Sequence, residues 1–269
     1  MNDILPHEIA PPAVVMKQIG DFVDSVVSAI SLIDYEDTRD PPGEHNGTGS
    51  FIALNGITHL VTCEHVARHG QGSYLGYSQF GSNFAVSMPT SFRGAPFPID
   101  MDAAPISTAN WQKVPHSAKC LGPSALAKQH LPVPGELFYV YGFPSDNATA
   151  FTGEHHHQGV GIFTREAPYD ARVEDEPPPI PISGFHIFFS YGPELASQVS
   201  GSSATLPKGP GFSGSLVWNT RYVERCMRGE TWTPHDLRVT ALLWGHSMKA
   251  GLLVATPIDH LHRYFDTLY

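Results

Sequence analysis

Most of this chain is written in short apolar runs broken by turn-forming residues. VVSAISLIDY (26–35), FAVSM (84–88), LFYVYGF (137–143), GVGIFTR (159–165), GFHIFFSYG (184–192), SLVWN (215–219), VTALLWG (239–245) and GLLVATP (251–257) are each rich in β-branched and aromatic residues, and each predicts a strand. Between residues 50 and 67 the pattern reads strand, tight turn, strand, short helix. The turn falls at Asn55-Gly56, the pair that best fits a two-residue hairpin. Helical spacing occurs near the two ends. Val15, Met16, Ile19, Phe22 and Val26 share one face of a helix, and Ile258, Leu261, Tyr264, Phe265 and Leu268 share another. Strands do not alternate with helices, so the pattern predicts an all-β architecture rather than a βαβ fold. Residues 1–13 read as a Pro-rich extended arm. EAPYDARVEDEPPPIPIS (166–183) reads as an exposed acidic loop, because its prolines cannot donate to a ladder.

Composition narrows the function classes. The 269 residues include 25 Gly and 24 Pro, which suits many short strands, while 16% charged residues speak against a coiled coil. The formal net charge is −10 and no Lys/Arg cluster occurs, so the footprint of a nucleic-acid binder is missing. No apolar run approaches the ~18 residues of a membrane span. The three cysteines (Cys63, Cys120, Cys226) are scattered, and the opening MNDILPHEIAPP lacks the basic-then-apolar order of a secretory signal. The expectation is a reducing, cytoplasmic location. Glu154-His155-His156-His157 invites a metal reading, but successive side chains of an extended chain point in opposite directions, so a solvated loop is expected and no metal site. Cys63 is expected to be a small buried hydrophobe turned away from His65.

Three local patterns carry chemistry, in the order His, Asp, Ser. TCEHV places His65 just after a strand. PIDMDAAPI places Asp102 ahead of small and apolar residues, with Asp100 as the competing carboxylate. PGFSGSLV places Ser213 in a glycine-flanked turn ahead of a strand. A serine hydroxyl is a weak nucleophile, and an adjacent imidazole must take its proton. The imidazole needs a carboxylate to fix its tautomer, and the oxyanion needs backbone N–H donors aimed at it. A turn holding Gly211 and Ser213 can bring two N–H groups to one point. An α/β-hydrolase elbow requires Gly two residues after the serine, where this chain has Ser215, and its order of residues differs.

GTGSFIALNGITHLVTCEHVA, IDMDAAPI, GFSGSLVWN, and ALLWGHS followed by GLLVATPIDHL together resemble the chymotrypsin-like (trypsin-like) serine peptidases, in particular the bacterial trypsin-like peptidase domains. The resemblance covers roughly residues 25–268. It implies two six-stranded antiparallel β-barrels closed by a C-terminal helix. Residues 1–25 would form an arm and short helix, 26–115 the first barrel, 130–257 the second and 258–268 the helix, all within a peptidase domain of 26–268. It further implies hydrolysis of protein or peptide substrates by a His65, Asp102, Ser213 triad, with Gly211 and Ser213 as the oxyanion hole and no cofactor. Pro207 would floor the primary pocket, with Leu243, Trp244 and Gly245 as its walls, favouring an uncharged apolar side chain. The chain departs from the family pattern at Glu64, Phe212 and Ser215-Leu216. Those departures motivate a second reading, a peptidase-fold module that binds peptides without turnover. Oligomeric state is not implied.

Overall fold

The computed structural model describes residues 9–266 apart from 40–42, 89–90, 146–147, 152–153, 193–196 and 199–205. Helix α1 (Ala13–Asp24) leads into β1 (Val27–Asp34), β2 (Glu44–Leu54), β3 (Ile57–Thr62), the one-turn helix α2 (Glu64–Ala67), β4 (Ser73–Ser78), β5 (Ala85–Ser87), β6 (Arg93–Ala95), β7 (Met101–Pro105) and α3 (Thr108–Trp111). There follow β8 (Phe138–Gly142), β9 (Ala148–Phe151), β10 (Glu154–His157), β11 (Val160–Thr164), β12 (Glu166–Ala167), β13 (Ile187–Ser190), β14 (Ser197–Gln198), β15 (Leu216–Asn219), α4 (Tyr222–Met227), β16 (Arg238–Ser247), β17 (Leu252–Pro257) and α5 (Ile258–Phe265).

The strands form two large antiparallel sheets. The first has seven strands in the order β5-β4-β1-β2-β3-β7-β6, the second eight in the order β12-β13-β17-β16-β15-β8-β11-β14, and β9 and β10 make a separate hairpin. The expected count of six strands per unit is therefore corrected: short strands such as β5, β6, β12 and β14 extend each sheet. At the β2–β3 turn, Asn55 and Gly56 both take positive φ, 49° and 79°, as a type I′ hairpin requires. The apolar face of α1 buries Ile19 and Val23 completely, and Phe22 meets Trp218 of the second sheet edge-on at 5.9 Å. Helix α5 buries Ile258, Leu261 and Phe265, while Leu268 of the expected face and the first eight residues of the N-terminal arm lie outside the described residues. Among the described residues, no helix is long and apolar enough to cross a membrane. The side chains of the His155–His157 run also lie outside the described residues.

The 166–183 segment is exposed over most of its length, as its composition suggests, but it is anchored. It begins as strand β12, continues into a 3-10 turn over Ala171–Asp175, and buries Val173 completely. Pro181 is buried as well, while the acidic residues and the other prolines stay exposed or half-buried.

Candidate active site

The site is assembled from both sheets. Strand β3 ends at Thr62, Cys63 stays extended, and α2 starts at once, so His65 sits on a rigid corner. Asp100 holds this corner twice. Its Oδ1 accepts the His65 backbone N–H at 3.0 Å, and its Oδ2 receives His65 Nδ1–H at 2.6 Å. The Asp100 side chain is 5% exposed against 45% for His65, so the carboxylate is shielded and the imidazole reaches into the cleft. With Nδ1 carrying the proton, Nε2 is left as an acceptor.

The expected partner, Asp102, does not occupy this position. Asp100 lies just before β7 with φ at 49°, a left-handed conformation that Asp tolerates, and this turns its carboxylate back onto His65. Asp102 lies within β7, paired across to Thr62 and Gly94, and its carboxylate lies over Gly94. Burial, with Glu64 and Asp100 nearby, pushes its pKa up to about 7. Cys63 is buried as expected, yet it is not turned away. Its Sγ donates to the Leu243 carbonyl at 3.2 Å, and Sγ, a ring nitrogen of His65 and an Asp100 oxygen all lie within 4.8 Å of one another. Burial and the Asp100 charge hold the thiol well above its usual pKa, which keeps it neutral.

The second sheet supplies the turn 209–214. Gly211 and Gly214 both take positive φ, 97° and 91°. A Cβ at Gly211 would overlap the Phe143 carbonyl oxygen, and one at Gly214 would overlap the Thr48 carbonyl oxygen. Phe212, unusual for the resembling family, is 1% exposed and anchors the turn in the core of the second sheet against Tyr191. From the first sheet, Thr48 braces the turn at two points: its N–H donates to the Ser213 carbonyl at 2.9 Å and its Oγ1 donates to the Gly211 carbonyl at 2.7 Å. Thr48 Oγ1 also accepts the Phe143 N–H at 3.0 Å. The N–H groups of Phe212, Gly214 and Ser215 are taken by the carbonyls of Gly209, Leu243 and Phe212. Among the described residues, those of Gly211 and Ser213 donate to no backbone carbonyl. His45, also on β2, lies beneath the turn, where burial lowers its pKa to about 4 against the pull of backbone hydrogen bonds to Phe143 and Gly211.

Ser213 is half-buried, and its hydroxyl donates to the Trp244 carbonyl at 3.2 Å. His65, Asp100 and Ser213 line one cleft of about 730 Å3, together with Trp244 and Gly245. Trp244 reaches the cleft because β16 bulges there: pairing with β17 passes from Leu243↔Ala255 directly to Gly245↔Val254. The other two expected pocket residues do not line this cleft. Leu243 is 1% exposed in the core of the second sheet, and Pro207 is buried with its carbonyl accepting the Tyr191 hydroxyl. In their place the cleft is walled by Phe97 and by residues of the Pro-rich segment, among them Val173 and Pro177.

Of the sequence-expected residues, His65, Ser213, Gly211, Trp244 and Gly245 thus come together. Asp100 replaces Asp102, and Thr48 and the Pro-rich wall are additions. Thr48 had a signal in the sequence, the GTG run of β2. The wall had a weaker one, Val173 as a single apolar residue among charges.

No family model matches the chain, and no curated protein matches it. Solved structures do. The active form of the Rv3671c protease from M. tuberculosis is 12% identical over 95% of this chain and 86% of that one, with a TM-score of 0.48. An inactive mutant form of the same protein is 12% identical over 97% and 96%, with a TM-score of 0.49. The apo MamO protease domain from Magnetospirillum magneticum is 9% identical over 90% and 96%, with a TM-score of 0.49.

Proposed function

We propose that this protein is a serine endopeptidase in which Ser213 is the nucleophile, His65 the general base and then acid, and Asp100 the carboxylate that orients His65. The observation that carries the reading is the two-point hold of Asp100 on His65, its Nδ1 and its backbone N–H, in the cleft that also contains Ser213. A His held only for structure has no need of a shielded carboxylate and an exposed second nitrogen.

The chemistry runs as follows. Ser213 turns from the Trp244 carbonyl toward Nε2 of His65. Its Oγ bonds to the substrate carbonyl carbon as the proton passes to Nε2, and the carbonyl π pair moves onto oxygen. The N–H groups of Gly211 and Ser213 receive that oxyanion. Collapse re-forms the carbonyl and breaks the C–N bond, while Nε2–H protonates the leaving amine. Water then repeats the cycle on the acyl-enzyme and releases a carboxylic acid. Asp100 stays ionised and stabilises the imidazolium.

Ser213→Ala tests this. The expected result is loss of peptide hydrolysis and of labelling by a fluorophosphonate probe, with an unchanged melting temperature. Labelling of Ser213→Ala, or a wild-type protein inert to both probe and peptides, sinks the assignment and leaves a binding module.

A further inference from the structure

The proposed chemistry uses His65 and Asp100 but leaves Cys63, two residues before the base, without a role. The thiol is completely buried, yet its Sγ, a ring nitrogen of His65 and an Asp100 oxygen lie within 4.8 Å of one another. The ring nitrogen that meets Asp100 is Nδ1. All three residues sit on one fixed corner. Cys63 is the extended residue between β3 and α2, His65 lies in α2, and Asp100 comes just before β7, which pairs with β3. The Cys63 carbonyl accepts the Ala67 N–H at 3.0 Å, and Asp100 Oδ1 accepts the His65 N–H at 3.0 Å, so the backbone of the corner is held from both sides. Cys63 and Asp100 are buried, and the imidazole alone reaches the cleft.

Sulfur, imidazole nitrogen and carboxylate oxygen are together a donor set for zinc. Zinc holds sulfur at about 2.3 Å and nitrogen or oxygen at about 2.0–2.2 Å, so its tetrahedral ligands stand about 3.5 Å apart, and side-chain shifts on the order of 1 Å bring the three donors to that spacing. A thiolate and a carboxylate carry one negative charge each and a neutral imidazole none, so a divalent cation leaves the buried group uncharged. Thiolate and imidazole favour ions of the zinc class over magnesium or calcium. We infer that Cys63, His65 and Asp100 form a site for a divalent ion of the zinc class, and that the ion switches hydrolysis off. The switch rests on the peptidase reading; the site does not. Binding releases one proton. Sγ–H gives its proton to solvent as the sulfur–metal bond forms, and the proton of Nδ1 passes by way of solvent to Nε2 as the Nδ1 lone pair turns to the metal. Asp100 remains a carboxylate, and nothing is oxidised or reduced. Nε2, now protonated, has no lone pair left for the Ser213 proton. The Leu243 carbonyl, which loses the thiol donor, keeps the Gly214 N–H at 2.9 Å.

The binding arm of the test uses the full chain carrying Ser213→Ala, which makes it independent of turnover. Co2+, the spectroscopic stand-in for zinc, is expected to give a thiolate-to-cobalt charge-transfer band that saturates at equimolar ion and is erased by zinc. Cys63→Ala in the same background is expected to abolish the band, and Cys226→Ala, at an exposed cysteine, to keep it. In the activity arm, zinc is expected to block peptide cleavage and fluorophosphonate labelling of the wild type, and a chelator to restore both. Cys63→Ala is expected to cleave as the wild type does and to need at least about tenfold more zinc for half-inhibition. Cys63→Ser repeats both arms should the alanine variant melt lower. No cobalt band, or a band and a zinc sensitivity unchanged in Cys63→Ala at unchanged melting temperature, overturns the site, while cleavage and labelling without zinc leave the peptidase reading standing. A Cys63-dependent band without inhibition overturns the switch. A zinc-free wild type that neither cleaves nor labels overturns the peptidase reading and the switch with it, and the band then decides the site alone.

Discussion

At the scale of residues, two aspartates two positions apart have opposite environments. Asp100 accepts two N–H groups of His65, whereas Asp102 is half-buried beside like charges. Asp100→Asn is expected to lower kcat by about 10³–10⁴, since an amide cannot hold the same tautomer, and Asp102→Asn to lower it by less than about tenfold; steady-state kinetics on one peptide separates the two. The pH behaviour of Asp102 adds a second check. Its folded pKa, raised to about 7, means that the native state keeps a proton the unfolded chain has already released. Its contribution to stability is present below the unfolded value of about 3.9 and is lost as pH rises through 7. Asp102→Asn should therefore match wild type in melting temperature near pH 4 and exceed it at pH 8. Thr48 supports a third expectation. Without its hydroxyl the Gly211 carbonyl is free to turn inward, so Thr48→Val should reduce kcat by about 10–100-fold at similar KM, while Thr48→Ser restores it. A purely structural role would lower the melting temperature in Thr48→Val and leave kcat unchanged. Ser213 and His65 were legible in the sequence because a glycine-flanked serine and a post-strand histidine are local patterns. The choice between Asp100 and Asp102 was not, because it turns on one backbone dihedral that no spacing encodes.

At the scale of elements, the strands followed from apolar runs and their flanking turns, and the β2–β3 hairpin from Asn55-Gly56. Strand β4 escaped detection because SYLGYS carries two serines and a glycine on a half-buried ladder, and β6 because Arg93–Ala95 is short and polar at its start. Helix α4 depends on a residue far from it. Glu136, 3% exposed, accepts the N–H groups of Leu137, Val223 and Glu224 and the Thr220 hydroxyl. Glu136→Ala orphans three buried donors and one half-buried one, and a loss of about 3 kcal/mol or more in urea denaturation is the expected outcome. The Pro-rich segment is exposed over most of its length, as its composition predicts, but its ties are not legible there, because prolines signal missing donors and say nothing of who else holds the chain. Its ties to Ser247, Lys249 and His186 predict that limited trypsin digestion spares the bond after Arg172 while the native state persists. Early cleavage there would show that the ties do not hold in solution.

At the scale of the whole molecule, hydrogen bonds stitch one sheet to the other: Thr48 to Gly211 and Ser213, Cys63 to Leu243, and Thr256 Oγ1 to the Ile99 carbonyl at 2.9 Å. Four described imidazoles, His45, His59, His186 and His246, are lowered in pKa, burial being the largest cause in each. The unfolded chain binds those protons near pH 6.5 and the folded one only at lower pH, so stability declines as pH falls from about 6.5 toward 4. Asp24 and Asp102, both raised, act in the opposite sense but are outnumbered. Urea midpoints should therefore drop between pH 7 and pH 5, and a rise would refute this balance. The stitching has a consequence for biosynthesis. His65 and Asp100 belong to the first sheet, while Ser213 and the N–H groups of its turn arrive more than a hundred residues later along the chain. A chain emerging from the ribosome therefore carries the proposed base before the proposed nucleophile. Even a finished chain has no working turn until Gly214 seats on Thr48. On the proposed peptidase reading, the synthesis interval thus passes before the two halves of the site can act together.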